Sequence, residues 1–302
     1  MGITLIDIIV SFCAGVFGAA MGGILPFVIA GLLVLISISG NVMVGPEFTD
    51  VLLLNSAFGP FLGPHITFSA GVAAAQYAKL KGHMPSGKDV LTPLSKYNDI
   101  SVYIVGGITG SLCWIFFKLA SGLALPTDNI ALTIVFACLL TRLFLSKSGL
   151  FGTLDEPLKE KMKASNLWGL MLASEKTEVW LPWQRNFLPL LLLSFALGLG
   201  SAALTLVYQN ALIGWAIAAI SLIALNTDRS GPVWHHIALP ASYAVLATGD
   251  LFIGALFGVI GGFIGEFIAR VFHNHGDTHF DAPSTSIVIT TTIIMFVFPV
   301  LF

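Results

Sequence analysis

The chain has 302 residues, of which 14 are Lys or Arg and 16 are Asp or Glu. Charged residues make up 10% and hydrophobic residues 56%, with a mean hydropathy of +0.90, against roughly 25% charged in an average soluble domain. That balance excludes a water-soluble fold, and a formal net charge of -2 excludes a basic nucleic-acid binder.

A helical span needs about 20 apolar residues to cross about 30 Å of hydrocarbon. Apolar stretches fall at 4–20, 24–39, 64–78, 99–121 and 129–146, and again at 187–207, 211–226, 233–248, 250–271 and 284–302. The first lacks a basic leader and reads as a retained span. Between the second and third, Gly59-Pro60 and Gly63-Pro64 interrupt apolar residues. Such backbone is tolerated at membrane depth only where protein or water covers it, so a broken or re-entrant helix is expected there. The predicted fold is an all-α polytopic membrane protein of about ten segments. Its three cysteines, Cys13, Cys113 and Cys138, lie in apolar runs without paired spacing, which argues against disulfides.

The ten segments divide into five plus five, and residue matches support an internal duplication. Ser11, Phe12 and Gly15 match Ser194, Phe195 and Gly198. Gly59-Pro60 and His65 match Gly231-Pro232 and His236. Asp99, Gly107 and Gly110 match Asp250, Gly258 and Gly261, and Asp128 falls near Asp281. The predicted organisation is a first repeat over 1–146, a connection over 147–186 and a second repeat over 187–302. Of the 14 basic residues, all but Lys118 can be placed on one side of the bilayer, which makes 147–186 cytoplasmic by the positive-inside rule. The two repeats then run in opposite senses, provided that 211–226 spans. The connection carries the charged stretch 155–163 and then Trp168, Trp180 and Trp183, the pattern of a short charged helix with an interfacial anchor.

In each half a Gly-Pro break precedes a histidine and a helix. A helix that starts inside the membrane turns unpaired N–H groups and its positive dipole end toward whatever sits there. His65 and His236, with His235, Asn55 and Thr67 nearby, are the expected substrate-binding residues, between two helix ends meeting near the midplane. Asp99, Asp250 and Glu266 are candidates for coupling or gating. The first two also suit a helix N-cap, and Glu266 suits an ion pair with Arg270. His273, His275, Asp277, His279 and Asp281 alternate, so an extended backbone would put all five on one face. Such N/O ligands suit zinc, manganese, nickel or iron. The glycines at small-xxx-small spacing suit close helix packing and offer a surface for self-association.

The resulting expectation is a multi-pass protein of the cell membrane, without enzyme activity, that moves a small ion or solute. The alternatives are an intramembrane metal enzyme built on 273–281 and a membrane subunit of a larger complex.

Overall fold

The computed structural model describes residues 2–146, 148–153, 156, 159–160 and 179–298. Most of the charged stretch 155–163, and Trp168, lie outside those residues. Among the described residues there is no β-strand, and one isolated bridge joins Gly87 to Thr278.

Each of the ten apolar stretches is helical: α1 (Leu5–Met21), α2 (Ile24–Met43), α3 (Pro64–Leu80), α4 (Ile100–Gly122), α5 (Asn129–Leu140), α6 (Phe187–Tyr208), α7 (Leu212–Ser221), α8 (His235–Thr248), α9 (Leu251–Ile268) and α10 (Ala282–Val297). Windows in α2, α4 and α6, together with α9 and its π-helical extension Ala269–His273, are long and apolar enough to cross a membrane. The starts follow from local chemistry. Thr4 and Asp7 form a capping box, and Asp99, Asp128, Asp250 and Asp281 cap α4, α5, α9 and α10. Each thereby supplies an acceptor to otherwise orphaned first-turn amides. Gly22, at φ 77, ends α1 in a conformation that a side chain would strain.

Packing repeats between the halves. α1, α3 and α4 pack on one another, as do α6, α8 and α9, while α2 pairs with α7 and α5 with α10. Glycines permit the closest approaches. A Cβ on Gly15 would lie 2.1 Å from the Gly106 carbonyl oxygen, and one on Gly198 would lie 3.1 Å from the Gly258 Cα. Glycines at corresponding positions thus make corresponding contacts within each half, Gly15 with the stretch 106–110 and Gly198 with Gly258, each at an antiparallel crossing. Gly254, Gly258 and Gly262 meet Ala202, Gly198 and Ser194 of α6. These stripes are buried inside the chain, where they pack helix against helix.

The outer surface is apolar instead. Ile100, Ile104, Ile108, Leu112 and Leu119 of α4 are between 45% and 73% exposed, a face that suits lipid contact rather than water. Lys79, Lys88 and Arg229 gather at one end. There Lys79 reaches Asp277 (3.5 Å), Lys88 donates to the Asn274 carbonyl (3.0 Å) and Arg229 pairs with Asp89 (3.1 Å).

Candidate functional site

α8 begins inside the bundle. The His236 backbone oxygen lies against Gly261 and its ring against Gly265, well within the helix that runs from Leu251 to His273. With 14 residues, α8 extends only about 21 Å. α3 does the same in the first half. The His65 ring stacks near Phe117 (4.3 Å) and Trp114 (6.2 Å), short of the Gly122 end of α4. Both helices therefore start where the Gly-Pro breaks predict. Yet each matched histidine packs into its own three-helix group. His65 meets α4, and His236 meets α9 and Trp180. Their nearest neighbours are separate sets, so the expected site between the two rings is not assembled.

The space lies beside them. A cavity of about 280 Å³ opens at the basic end. Its wall includes Ile24, Phe27, Phe68, Val90, Leu222 and Leu225, and its polar lining includes Lys88, Asp89, Arg229, His235, His273, His279 and Asp281. A second cavity, of about 30 Å³, lies beyond it and is lined by Phe58, Pro64, Asp128, Leu212, Trp215 and Ser284 among others. Phe27 and His235 line both. Their ring centroids are 5.2 Å apart, and Trp215 closes on Phe27 (5.3 Å) and Phe58 (5.5 Å). A four-ring plug thus separates the two spaces.

Two aspartates stand on opposite sides of that plug in matching surroundings. Asp281 accepts from the Ser284 amide (2.8 Å), and its own amide donates to the Cys138 sulfur of α5 (3.4 Å). Asp128 accepts from the Ala131 amide (2.7 Å), and its own amide donates to the Thr291 hydroxyl of α10 (3.1 Å). In all three correspondences, Asp128 with Asp281, Ala131 with Ser284 and Cys138 with Thr291, the residues stand 153 apart. The loose sequence match of the aspartates is thereby a specific one.

The five alternating residues at 273–281 do not share a face, which corrects the extended-strand expectation. His273 closes the π-helical turn, where its Nδ1 and the Phe280 backbone are hydrogen-bonding partners. Asp277 turns to Ser146, Ser148 and Lys79, and the His275 carbonyl accepts from the Thr153 amide (2.9 Å). Only His273, His279 and Asp281 of the five line the large cavity. Among the described residues no three His, Cys, Asp or Glu side chains converge as a metal site.

Of the other expected residues, His235 alone lines the cavities. Thr67 is buried with its hydroxyl donating to the Gly63 carbonyl, and Asn55 is exposed. Asp99 caps α4 and binds His83 (2.8 Å), Asp250 caps α9, and Glu266 pairs with Arg270. Sequence reasoning missed Arg142, counted there only as a basic residue. It is fully buried and donates to the Thr278 hydroxyl and to the carbonyls of Thr278, Leu150 and Phe272. It thereby ties the loop before α10 to the end of α5 and the connection.

Residues 2–301 match DUF7973, a family of unknown function. The chain belongs to that family. No curated protein and no solved structure matches it. In this DUF7973 member, then, the functional reading rests on the two cavities and the plug between them.

Proposed function

We propose that this protein is a secondary transporter or facilitator for a small solute, built from two inverted five-segment repeats that cross the cell membrane ten times in all. The observation that carries this reading is that cavities on opposite sides of the bundle meet at the same two residues, Phe27 and His235. A carrier needs access from each side to one central position, with a barrier that shifts between the sides. Glycine contacts are alike in the two halves. Gly15 faces Gly106 and Gly110 in an antiparallel pair, as Gly198 faces Gly258, and Gly31 of α2 faces Ala216 and Ala219 of α7. These contacts support a like packing of the two halves. The paired Asp128 and Asp281 environments support the same relation.

The large cavity opens at the end that gathers Lys79, Lys88 and Arg229, so the positive-inside rule makes the conformation inward-facing. The solute site moves accordingly from a His65–His236 axis to the floor formed by His235 and Phe27. Inverted repeats interconvert by exchanging shapes, so an outward-facing form would enlarge the Asp128 cavity and close the Asp281 one.

Cysteine accessibility tests the proposal. In a background lacking Cys13, Cys113 and Cys138, the variants Val233→Cys and Leu212→Cys place a thiol on the inner and outer cavity respectively. A membrane-impermeant thiosulfonate should label Val233→Cys from the inner side and Leu212→Cys from the outer. Crosslinking the inner mouth shut should speed labelling of Leu212→Cys. Absence of outer labelling under every condition would remove alternating access.

A further inference from the structure

The hydrogen-bonding state of the large cavity distinguishes what it can bind. Two carboxylates line it, and both are engaged. Asp89 Oδ1 accepts from the amides of Leu91 and Thr92 (both 3.0 Å), while Oδ2 accepts from the Thr92 hydroxyl (2.8 Å) and from Arg229 (3.2 Å). Asp281 Oδ2 accepts the Ser284 amide, and Oδ1 lies 3.1 Å from His279 Nε2. A cation entering the cavity would have to displace these partners, and among the described residues no three ligating side chains converge to repay that loss.

Donors remain. α8 starts at the floor with Trp234 as its N-cap, which supplies no side-chain acceptor. The Ile237 and Ala238 amides donate to the Trp234 carbonyl (2.9 and 3.0 Å), so among the described residues the His235 and His236 amides are the orphan donors of that turn, with the positive dipole end behind them. An independent feature stands at the same place. His235 is 4% exposed, lines the cavity, and its Nδ1 is buried without a hydrogen-bond partner among the described residues. A buried, unpaired ring nitrogen is costly unless a ligand completes it. Lys88, which donates to the Asn274 carbonyl, and Arg229, which pairs with Asp89, also line the cavity and bring positive charge to its wall. The remaining wall is hydrocarbon and aromatic, from Ile24, Phe27, Phe68 and Leu222.

We infer that the cavity binds a small organic anion with an apolar body, its carboxylate toward His235 and the first turn of α8 and its body against Phe27 and Phe68. The inference deepens the transporter reading and rests on it only for the claim that the ligand crosses the membrane.

Three probes of one shape separate the classes: benzoate, benzylamine and benzyl alcohol, titrated calorimetrically into the purified full-length protein. Benzoate should bind saturably at one site, more weakly as salt rises, and the other two should bind at least about tenfold more weakly. His235→Leu should weaken benzoate by about tenfold. Arg229→Gln, at an exposed position whose loss does not threaten folding, should weaken it severalfold and flatten the salt dependence. Preference for benzylamine, equal binding of all three, or no binding overturns the ligand class, whatever the cysteine labelling shows. Benzoate binding without uptake of labelled benzoate into proteoliposomes leaves the ligand class standing and defeats the transporter reading.

Discussion

The two sides of the central plug are built from the same parts and enclose very different spaces. Each has an aspartate that caps a helix and whose amide reaches the opposite half of the chain. Yet the cavity beside Asp281 measures about 280 Å³ and the one beside Asp128 about 30 Å³. The caps do not make the difference. On the Asp128 side Phe58 and Trp215 close on each other, whereas on the Asp281 side the loop 85–91 and the 3-10 turn Leu222–Asn226 stand apart around open space. Equivalent backbone anchors with unequal side-chain filling are what one conformation of an alternating machine should display.

The largest effect is expected from breaking the filled side. Trp215→Ala removes a ring that is 5% exposed and should lower stability by about 3–5 kcal/mol, by analogy with large core truncations. Thermal unfolding in detergent measures this, and Leu212→Cys should label faster in the same background. Arg142→Ala comes next. It leaves the buried Thr278 carbonyl and the part-buried Leu150 and Phe272 carbonyls without this donor and should cost about 3 kcal/mol, summed from partly relaxed unsatisfied groups. Because that arginine secures the loop carrying His279 and Asp281, loss of benzoate binding should accompany the lowered unfolding midpoint.

A paired substitution tests how alike the two halves are. Gly15→Ala should cost about 1–3 kcal/mol, because its Cβ would meet backbone at 2.1 Å, as in an overpacked core. Gly198→Ala, at 3.1 Å from Gly258, should cost less than about 1 kcal/mol. Equal losses on unfolding would show that the two crossings relax alike despite their different spacing.

The smallest effect concerns pH at the open mouth. Burial alone would raise the Asp89 carboxyl, but its Thr92 hydrogen bonds and Arg229 hold it below the usual carboxylate range. The stability this contributes is present above the unfolded carboxylate value of about 3.9 and is lost as pH falls through the lower folded value. The wild-type unfolding midpoint should therefore drop below about pH 4 more steeply than that of Asp89→Asn. The Asp89–Arg229 pair itself, exposed at Arg229, should contribute under about 1 kcal/mol.

Much of the framework was legible in the residues. The stretch 4–20 became Leu5–Met21 and 99–121 became Ile100–Gly122, because apolar length and a polar N-cap, Thr4 in one and Asp99 in the other, are local properties. Matched glycines predicted close contacts and supplied them within each repeat. The site was less legible. Phe27 and Trp215 are ordinary apolar residues until the fold sets Phe27 between Trp215 and His235, and Arg142 reads as a surface charge until four acceptors surround it. The alternation at 273–281 misled because a π-helical end and a turn replaced the extended strand it presumed.

The apolar, charge-poor character that suits a bilayer and the ten apolar stretches follow from the sequence by itself, since transfer of apolar surface depends on composition and order alone. Which donors are left unpaired at the cavity floor was decided only by the tertiary structure. Hydrogen-bond satisfaction there depends on pairs such as Asp281 with Cys138, 143 residues apart, and no local pattern records a partner that far along the chain.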